Sequence, residues 1–259
     1  MLTALTRAVS PNLADCELTF LARQNIDVGK AIEQHRGYEE CLARLGVRVI
    51  RLPAKPDLPD SVFVEDTAIV LDELAVIARP GATSRQAETE SVADTLSAFR
   101  PLKFIQPPTT IEGGDVMRVD RTLYVGLSAR TNPAGIEQLR AIVEPFGYEI
   151  KVIEVTGCLH LKTACAYLGG RTMIVNRRWI NIQKLTEFDL INVPRYESWA
   201  ANALAIGATV LTTSGFPKTR ALIEERGFKI RVINISELQK AEAGLTCLSL
   251  VFEEWLASD

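Results

Sequence analysis

Apolar residues in this chain come in short runs, each broken within a few positions by a Gly or Asp turn. Ala68–Leu71 turns at Asp72-Glu73 into Leu74–Ala78, and Val116–Val119 turns at Asp120-Arg121 into Leu123–Gly126. Ala164–Leu168 turns at Gly169-Gly170 into Thr172–Val175, and Ala203–Ile206 turns at Gly207 into Thr209–Thr212. Such pairs predict β-hairpins. Helical spacing of apolar residues follows three of them, over Gln86–Phe99, Pro133–Phe146 and Pro217–Arg226, and further strands are predicted at Tyr148–Val155 and Lys229–Ile235. The turns recur roughly every 40 to 50 residues, the mark of a repeat architecture. Repeated hairpin–helix–strand modules without a long linker predict one quasi-symmetric α/β ring over 1–259, not two separate domains. The first module lacks a strand, which Cys247–Phe252 would supply by pairing with Thr3–Val9, removing two exposed sheet edges.

Composition narrows the function. The 32 acidic and 29 basic residues are well mixed, so no basic stripe offers itself to nucleic acid. Met1–Val9 is too short an apolar run for a signal peptide, and no stretch approaches the roughly 18 apolar residues of a membrane span, so a cytoplasmic protein is expected. Five cysteines without a CxxC pair fit neither a disulfide framework nor a zinc site, and free thiols with no metal are expected. The two histidines, His35 and His160, are the only side chains whose ordinary pKa suits acid–base chemistry near neutrality. Trp179, Trp199 and Trp255 are read as core or interface residues, and a homodimer is left open.

Few segments combine reactive side chains with a special backbone. Cys247 follows Gly244 and opens an apolar strand, a position for a nucleophile and equally for a small buried core residue. His160 shares one side of a strand with Lys162, while Leu159 and Leu161 take the other; it reads either as a base or as a structural histidine. His35 belongs to the solvated face of a helix. Glu112-Gly113-Gly114-Asp115 puts two carboxylates around glycines that allow close approach, or else forms a solvated turn. Asp60–Asp66 mixes acids into a β-prone run, and acids sharing a cavity call for a cation. Arg85 and Arg130 end equivalent segments of neighbouring modules, where two forked guanidinium groups suit a carboxylate. Together these describe a small ligand with a cationic head and an anionic tail, an amino acid like arginine.

Asp60–Asp66 (DSVFVED), Arg79–Arg85 (RPGATSR), Glu112–Asp115 (EGGD), Ser128–Asn132 (SARTN), Leu159–Thr163 (LHLKT) and Leu245–Leu250 (LTCLSL) resemble, in order and over nearly the whole chain, the dimethylarginine dimethylaminohydrolases. These belong to the guanidine-modifying superfamily with arginine deiminases and amidinotransferases. The resemblance implies a five-bladed α/β propeller, the pentein fold, made of pseudo-fivefold ββαβ modules. It implies that Cys247 is the nucleophile, His160 the general acid/base and Glu112 its acidic companion. It implies that Asp60 and Asp66 face the guanidinium and nearby polar groups, and that Arg85 and Arg130 face the carboxylate. By the same resemblance the backbone oxygens of Leu18 and Ala241 hold the α-amino group, Glu65 makes a lid-side contact, and Asn12–Asp27 is the mobile lid.

The reaction implied is hydrolysis of an Nω-methylated arginine to citrulline and a methylamine without a cofactor. Other readings are hydrolysis of another guanidino compound such as arginine, and a guanidine-binding protein without turnover. Lys162 stands where arginine deiminases carry an aspartate two residues after the catalytic histidine, so methylated arginines rank above arginine. Carboxylates around Cys247 should hold its thiol protonated until a cationic substrate arrives.

Overall fold

The structure, a computed structural model, describes residues 1–254, so Trp255 lies outside the described residues. Strand β1 (Leu2–Arg7), helix α1 (Val28–Arg44) and strand β2 (Arg48–Leu52) open the chain. Strands β3 (Ala68–Val70) and β4 (Ala75–Ile77) are followed by α2 (Thr89–Leu96) and β5 (Leu102–Phe104). Strands β6 (Val116–Val119) and β7 (Thr122–Leu127) lead through α3 (Pro133–Val143) to β8 (Glu149–Glu154). The single turn α4 (Leu161–Ala164) precedes β9 (Cys165–Gly169), β10 (Thr172–Val175) and β11 (Asp189–Asn192). Strands β12 (Leu204–Ile206) and β13 (Thr209–Thr213), helix α5 (Pro217–Glu224), strand β14 (Lys229–Ile233), the turn α6 (Ser236–Gln239) and strand β15 (Leu250–Glu253) complete it.

These strands form five three-stranded sheets of one topology: the central strand has an antiparallel partner on one side and a parallel one on the other. The tight turn makes the antiparallel pair, and the crossover returns the chain for the parallel one. Only β15-β1-β2 breaks chain order, since β15 pairs antiparallel with β1 in the register Leu2↔Glu253 to Leu5↔Leu250. The last module thus completes the first, as the sequence predicted. Local signals begin the helices: the Asn132 side chain accepts from Gly135 N at 2.8 Å with Pro133 as the first helical residue, and Asp27 caps α1.

Between β10 and β11, where the sequence shows no helical spacing, the described chain makes the short turn Ile182–Lys184, and Ile180 bridges to Val155. Two expectations change. The helix expected over Gln86–Phe99 is a 3₁₀ stretch, Thr83–Glu88, followed by α2; the break lies where Arg85 turns inward to acid partners. His35 is not on a solvated face of α1 but buried, tilted against Tyr38 with ring centres 6.2 Å apart. Trp179 and Trp199 pack edge to face at 4.9 Å.

Apolar cores lie between neighbouring sheets; Leu5, Ala75, Val92 and Phe252, for example, share one cluster. Strand β15 packs against β3, β6 against β9 and β9 against β12. A cavity of about 600 Å³ is lined by residues from β3, β6, β9, β12 and β15, the first strand of every module when β15 is counted with β1. Glu65, Lys162 and Thr246 also line it. No helix of the described residues is long and apolar enough to cross a membrane.

Candidate active site

A second, much smaller cavity contains most of the reactive side chains. Asp60, Asp66, Arg85, Arg130, His160, Ala241 and Cys247 line it, with Glu17, Phe63, Leu159, Glu242 and Ala243. Its free volume is about 20 Å³, room for about one water molecule.

The side chains reach it from irregular backbone, not from strands. Cys247 lies in a 3₁₀ turn, Thr246–Leu248, before β15, which corrects the expectation of a strand start. His160 is the extended residue just before α4, not part of a strand, and Asp66 belongs to the 3₁₀ turn Val64–Thr67. Glu112 precedes the 3₁₀ turn Gly113–Asp115. Alternation misread these segments because side-chain hydrogen bonds, not strand partners, hold their backbones. Gly113 is required by contact: a Cβ there would lie 2.0 Å from the carbonyl oxygen of Glu65. A Cβ on Gly114 would lie 2.6 Å from Asp66 Oδ1 and 2.7 Å from His160 Nδ1.

Glu112, fully buried, stands directly behind the histidine, its Oε2 2.6 Å from His160 Nε2. Asp66 Oδ1 lies 3.6 Å from His160 Nδ1. Burial opposes a charge on this ring, but Asp66, the Glu112 hydrogen bond and Asp115 outweigh it and raise the His160 pKa to about 9. Asp66 stays below the ordinary carboxylate range: burial pushes it up, and His160 and Arg85 more than offset that. Burial pushes the Cys247 thiol well above its ordinary pKa, and Glu65 and Asp66 add to this against the Gly244 N–H and Lys162. The cavity therefore pairs a neutral thiol with a protonated imidazole.

Asp115 braces this arrangement. One oxygen accepts the Leu161 N–H at 2.9 Å, and the other accepts Ser128 Oγ at 2.6 Å and Thr131 Oγ1 at 2.7 Å. Thr131 Oγ1 in turn accepts the Glu112 N–H at 3.2 Å.

The two arginines differ. Arg85 gives Nη1 to Asp66 at 2.8 Å, Nη2 to Glu88 at 2.9 Å and Nε to Glu88 at 3.2 Å, so every nitrogen has an acceptor. It is not the free partner of Arg130 that a carboxylate clamp requires. Arg130 meets Glu112 at 3.7 Å and keeps its buried Nη1 without a hydrogen-bond partner among the described residues.

Glu65 corrects another expectation. Its carboxylate is not at the lid but on the side of the large cavity, 2.7 Å from Lys162 Nζ and accepting from Thr246 Oγ1 at 2.9 Å. Lys162 is spent on that pair and does not line the Cys247 cavity, so it does not discriminate substrates by touching them.

The segment Asn12–Asp27 is tied to the residues of this cavity by hydrogen bonds. Asp60 accepts the Glu17 N–H at 3.0 Å, Arg130 Nη2 donates to Thr19 Oγ1 at 3.3 Å, and Glu242 accepts the N–H groups of Thr19, Phe20 and Leu21. Leu18 is half-buried within it, and Ala241 lines the cavity. Sequence reasoning passed over Glu242; its signal was a lone acid between two alanines, five residues before Cys247.

Asp66, Glu112 and His160 bring one ligand atom each within 4.8 Å, a spacing a metal ion would also accept. Their lone pairs, however, already meet N–H groups of Arg85, Gly114, Gly81 and each other, and Arg85 supplies the local positive charge.

The family model described as "N,N dimethylarginine dimethylhydrolase, eukaryotic" matches residues 19–247. The N(G),N(G)-dimethylarginine dimethylaminohydrolase of Pseudomonas aeruginosa is 38% identical over 87% of this chain and 90% of its own. The enzyme of the same name from Streptomyces coelicolor is 37% identical over 97% of both. A crystal structure of a cysteine-to-serine variant of the Pseudomonas aeruginosa enzyme, complexed with citrulline, superposes with a TM-score of 0.92 at 35% identity, covering 96% of this chain and 98% of that one. Fold and site thus define a hydrolase of guanidino groups. Within that class, the chain belongs to the dimethylarginine dimethylaminohydrolase family.

Proposed function

We propose that this chain hydrolyses asymmetric dimethylarginine or monomethylarginine to citrulline and the corresponding methylamine through a covalent Cys247 intermediate. The observation that carries the reading is the His160–Glu112 pair at 2.6 Å, with its raised histidine pKa, in the cavity of a protonated thiol. The guanidinium carbon is a poor electrophile and its amine a poor leaving group, so catalysis must act on both. Asp66 and Glu112 receive the planar head and hold its carbon beside Cys247. The entering cation offsets the negative field that keeps the thiol protonated, and the thiol proton passes to solvent water, since His160 is already protonated. The thiolate forms a C–S bond, and the C–N bond to the methylated nitrogen breaks as His160 gives that nitrogen a proton. A water then loses a proton to His160 and attacks the thiouronium carbon; as the C–S bond breaks, the proton left on the new hydroxyl passes to sulfur, leaving citrulline and the thiol.

Arg130, whose Nη1 has no hydrogen-bond partner among the described residues, takes the substrate carboxylate. Arg85 acts through Asp66. Asp60 and the backbone oxygens of Leu18 and Ala241 receive the α-ammonium group. We further infer that the five sheets close into one five-bladed propeller, a single catalytic domain. The cavity lined by the first strand of every module supports this reading. Five free cysteines support a reducing, cytoplasmic setting.

Product analysis of the purified protein tests the function. Citrulline plus dimethylamine from asymmetric dimethylarginine is expected. Citrulline and ammonia from arginine, with dimethylarginine and monomethylarginine left intact, would replace the substrate while keeping the chemistry. No turnover of any guanidine would sink the enzyme reading.

A further inference from the structure

The lid segment Glu17–Leu21 is not held by burial. Glu17, Thr19 and Phe20 are exposed, and the apolar anchors of the loop, Leu13, Cys16 and Ile26, lie outside this stretch. What holds its centre is one carboxylate oxygen. Glu242 Oε1 accepts three successive backbone N–H groups, from Thr19 at 3.0 Å, Phe20 at 2.5 Å and Leu21 at 2.6 Å. Charge-assisted bonds of this kind are about twice as strong as neutral ones, and three consecutive amides converging on one anion fix the local backbone as well as its position.

The backbone of Glu242 itself is unusual. Its φ is +62°, in the left-handed region that glycine enters freely and glutamate does not. An acidic side chain retained at such a position points to a use for that side chain. Its other oxygen, Oε2, is buried with no hydrogen-bond partner among the described residues, so the carboxylate is not there to satisfy a neighbouring core group. The residue also lines the Cys247 cavity, and Ala241 and Ala243 on either side of it do the same.

We propose that Glu242 is a positioning residue: the latch that closes segment Thr19–Leu21 over the Cys247 cavity. With the latch made, about 20 Å³ remains, so an arginine-like molecule enters only after these amides leave Glu242. The other hydrogen bonds from the rest of the described protein to Glu17–Leu21 come from Asp60 and Arg130, both assigned above to the substrate, and from Ser84 on the exposed Glu17 side chain. A bound ligand competes for Asp60 and Arg130 but not for the three amides. Glu242 is therefore the tie that can re-form over an occupied site, shutting water out and completing the cavity wall. The inference rests on the reading of this cavity as the substrate site.

The test uses the full chain with E242G and E242Q. Glycine removes the carboxylate and accepts the left-handed backbone, so E242G relieves strain at that position; Gln keeps the shape with a neutral acceptor. Amide hydrogen exchange at Thr19–Leu21, read without substrate, is expected to speed up at least tenfold in E242G and by a smaller factor in E242Q. Exchange in α3 should stay unchanged. KM for asymmetric dimethylarginine should rise about tenfold in E242G, with kcat falling less. Loss of native fold would instead lower the active fraction and leave KM alone. Should E242G not fold, the exchange in E242Q decides the matter. Exchange at Thr19–Leu21 within twofold of the parent, in a folded variant, overturns the latch. Faster exchange in a protein that turns over no guanidine would keep the latch and remove the substrate assignment.

Discussion

His160 Nε2 and Glu112 Oε2, contributed by different modules, meet at 2.6 Å inside the protein. Against burial, Asp66 first and this pairing second make the imidazole a cation in the range where the enzyme must work, with its pKa raised to about 9. Facing that ring are Asp66, Glu112 and Asp115, with Arg85 behind the acids. Activity that needs a protonated His160 persists below pH 9 and falls above it. E112Q removes one negative partner, so the falling limb of the pH–kcat profile should move to lower pH, and kcat should drop by about 10²-fold or more. An unmoved limb would detach the pair from the chemistry. The stability sign follows from the same shift: because the folded pKa exceeds the ordinary 6.5, the pair stabilises fully below pH 6.5 and loses its contribution as pH rises through about 9.

Cys247 should carry no thiolate absorbance at neutral pH in the empty protein, since burial, Glu65 and Asp66 all favour the thiol. Binding a guanidinium ligand should lower its apparent pKa. Absorbance titration against C247S reads both, and a thiolate already present at pH 7 without ligand would refute substrate-promoted ionisation.

Gly114→Ala should leave a folded protein with little activity. The new methyl group meets His160 Nδ1 and Asp66 Oδ1 at 2.7 and 2.6 Å, and displacing a catalytic group by a fraction of an ångström to 1 Å costs about 10²-fold in rate. Gly113→Ala meets backbone at 2.0 Å instead and should lower stability by about 1–3 kcal/mol. Parallel measurements of kcat and thermal unfolding separate the two.

Lys162 and Glu65 form a largely buried pair at 2.7 Å on the wall of the large cavity. K162M strands the Glu65 carboxylate and should destabilise by about 3 kcal/mol, while K162M/E65L should recover most of that loss. Denaturant unfolding of the double-mutant cycle checks it; additive losses would show that the pair is not coupled.

His35 is neutral and buried, its pKa lowered to about 3 by burial and by Arg51. Because the folded value lies below the ordinary 6.5, its contribution is intact above pH 6.5 and is lost as pH falls toward 3. H35L should match the parent within about 1 kcal/mol at pH 7, since neither ring nitrogen has a hydrogen-bond partner among the described residues and the contact of Nδ1 with Glu39 is 3.5 Å long, and should melt higher than the parent near pH 4. Equal acid sensitivity of the two proteins would rule His35 out as its source.

The sequence by itself determined the repeat. Hairpins at 68–78, 116–126, 164–175 and 203–212 were legible because a tight turn fixes the pairing of the strands it joins, and the closing strand could be named because an unpaired edge needs a partner. The motifs also identified which residues gather at Cys247. What only the tertiary structure decided is which charge each one meets. Arg85 reads as a clamp and is committed to Asp66 and Glu88; Glu65 reads as a lid contact and is paired with Lys162; His35 reads as solvated and is buried. Periodicity reports which side of a local element a side chain takes, and Arg85 and Glu65 sit on irregular turns and meet partners 19 and 181 positions away. Distant pairing is set by the closing of the whole fold, and no local pattern encodes it.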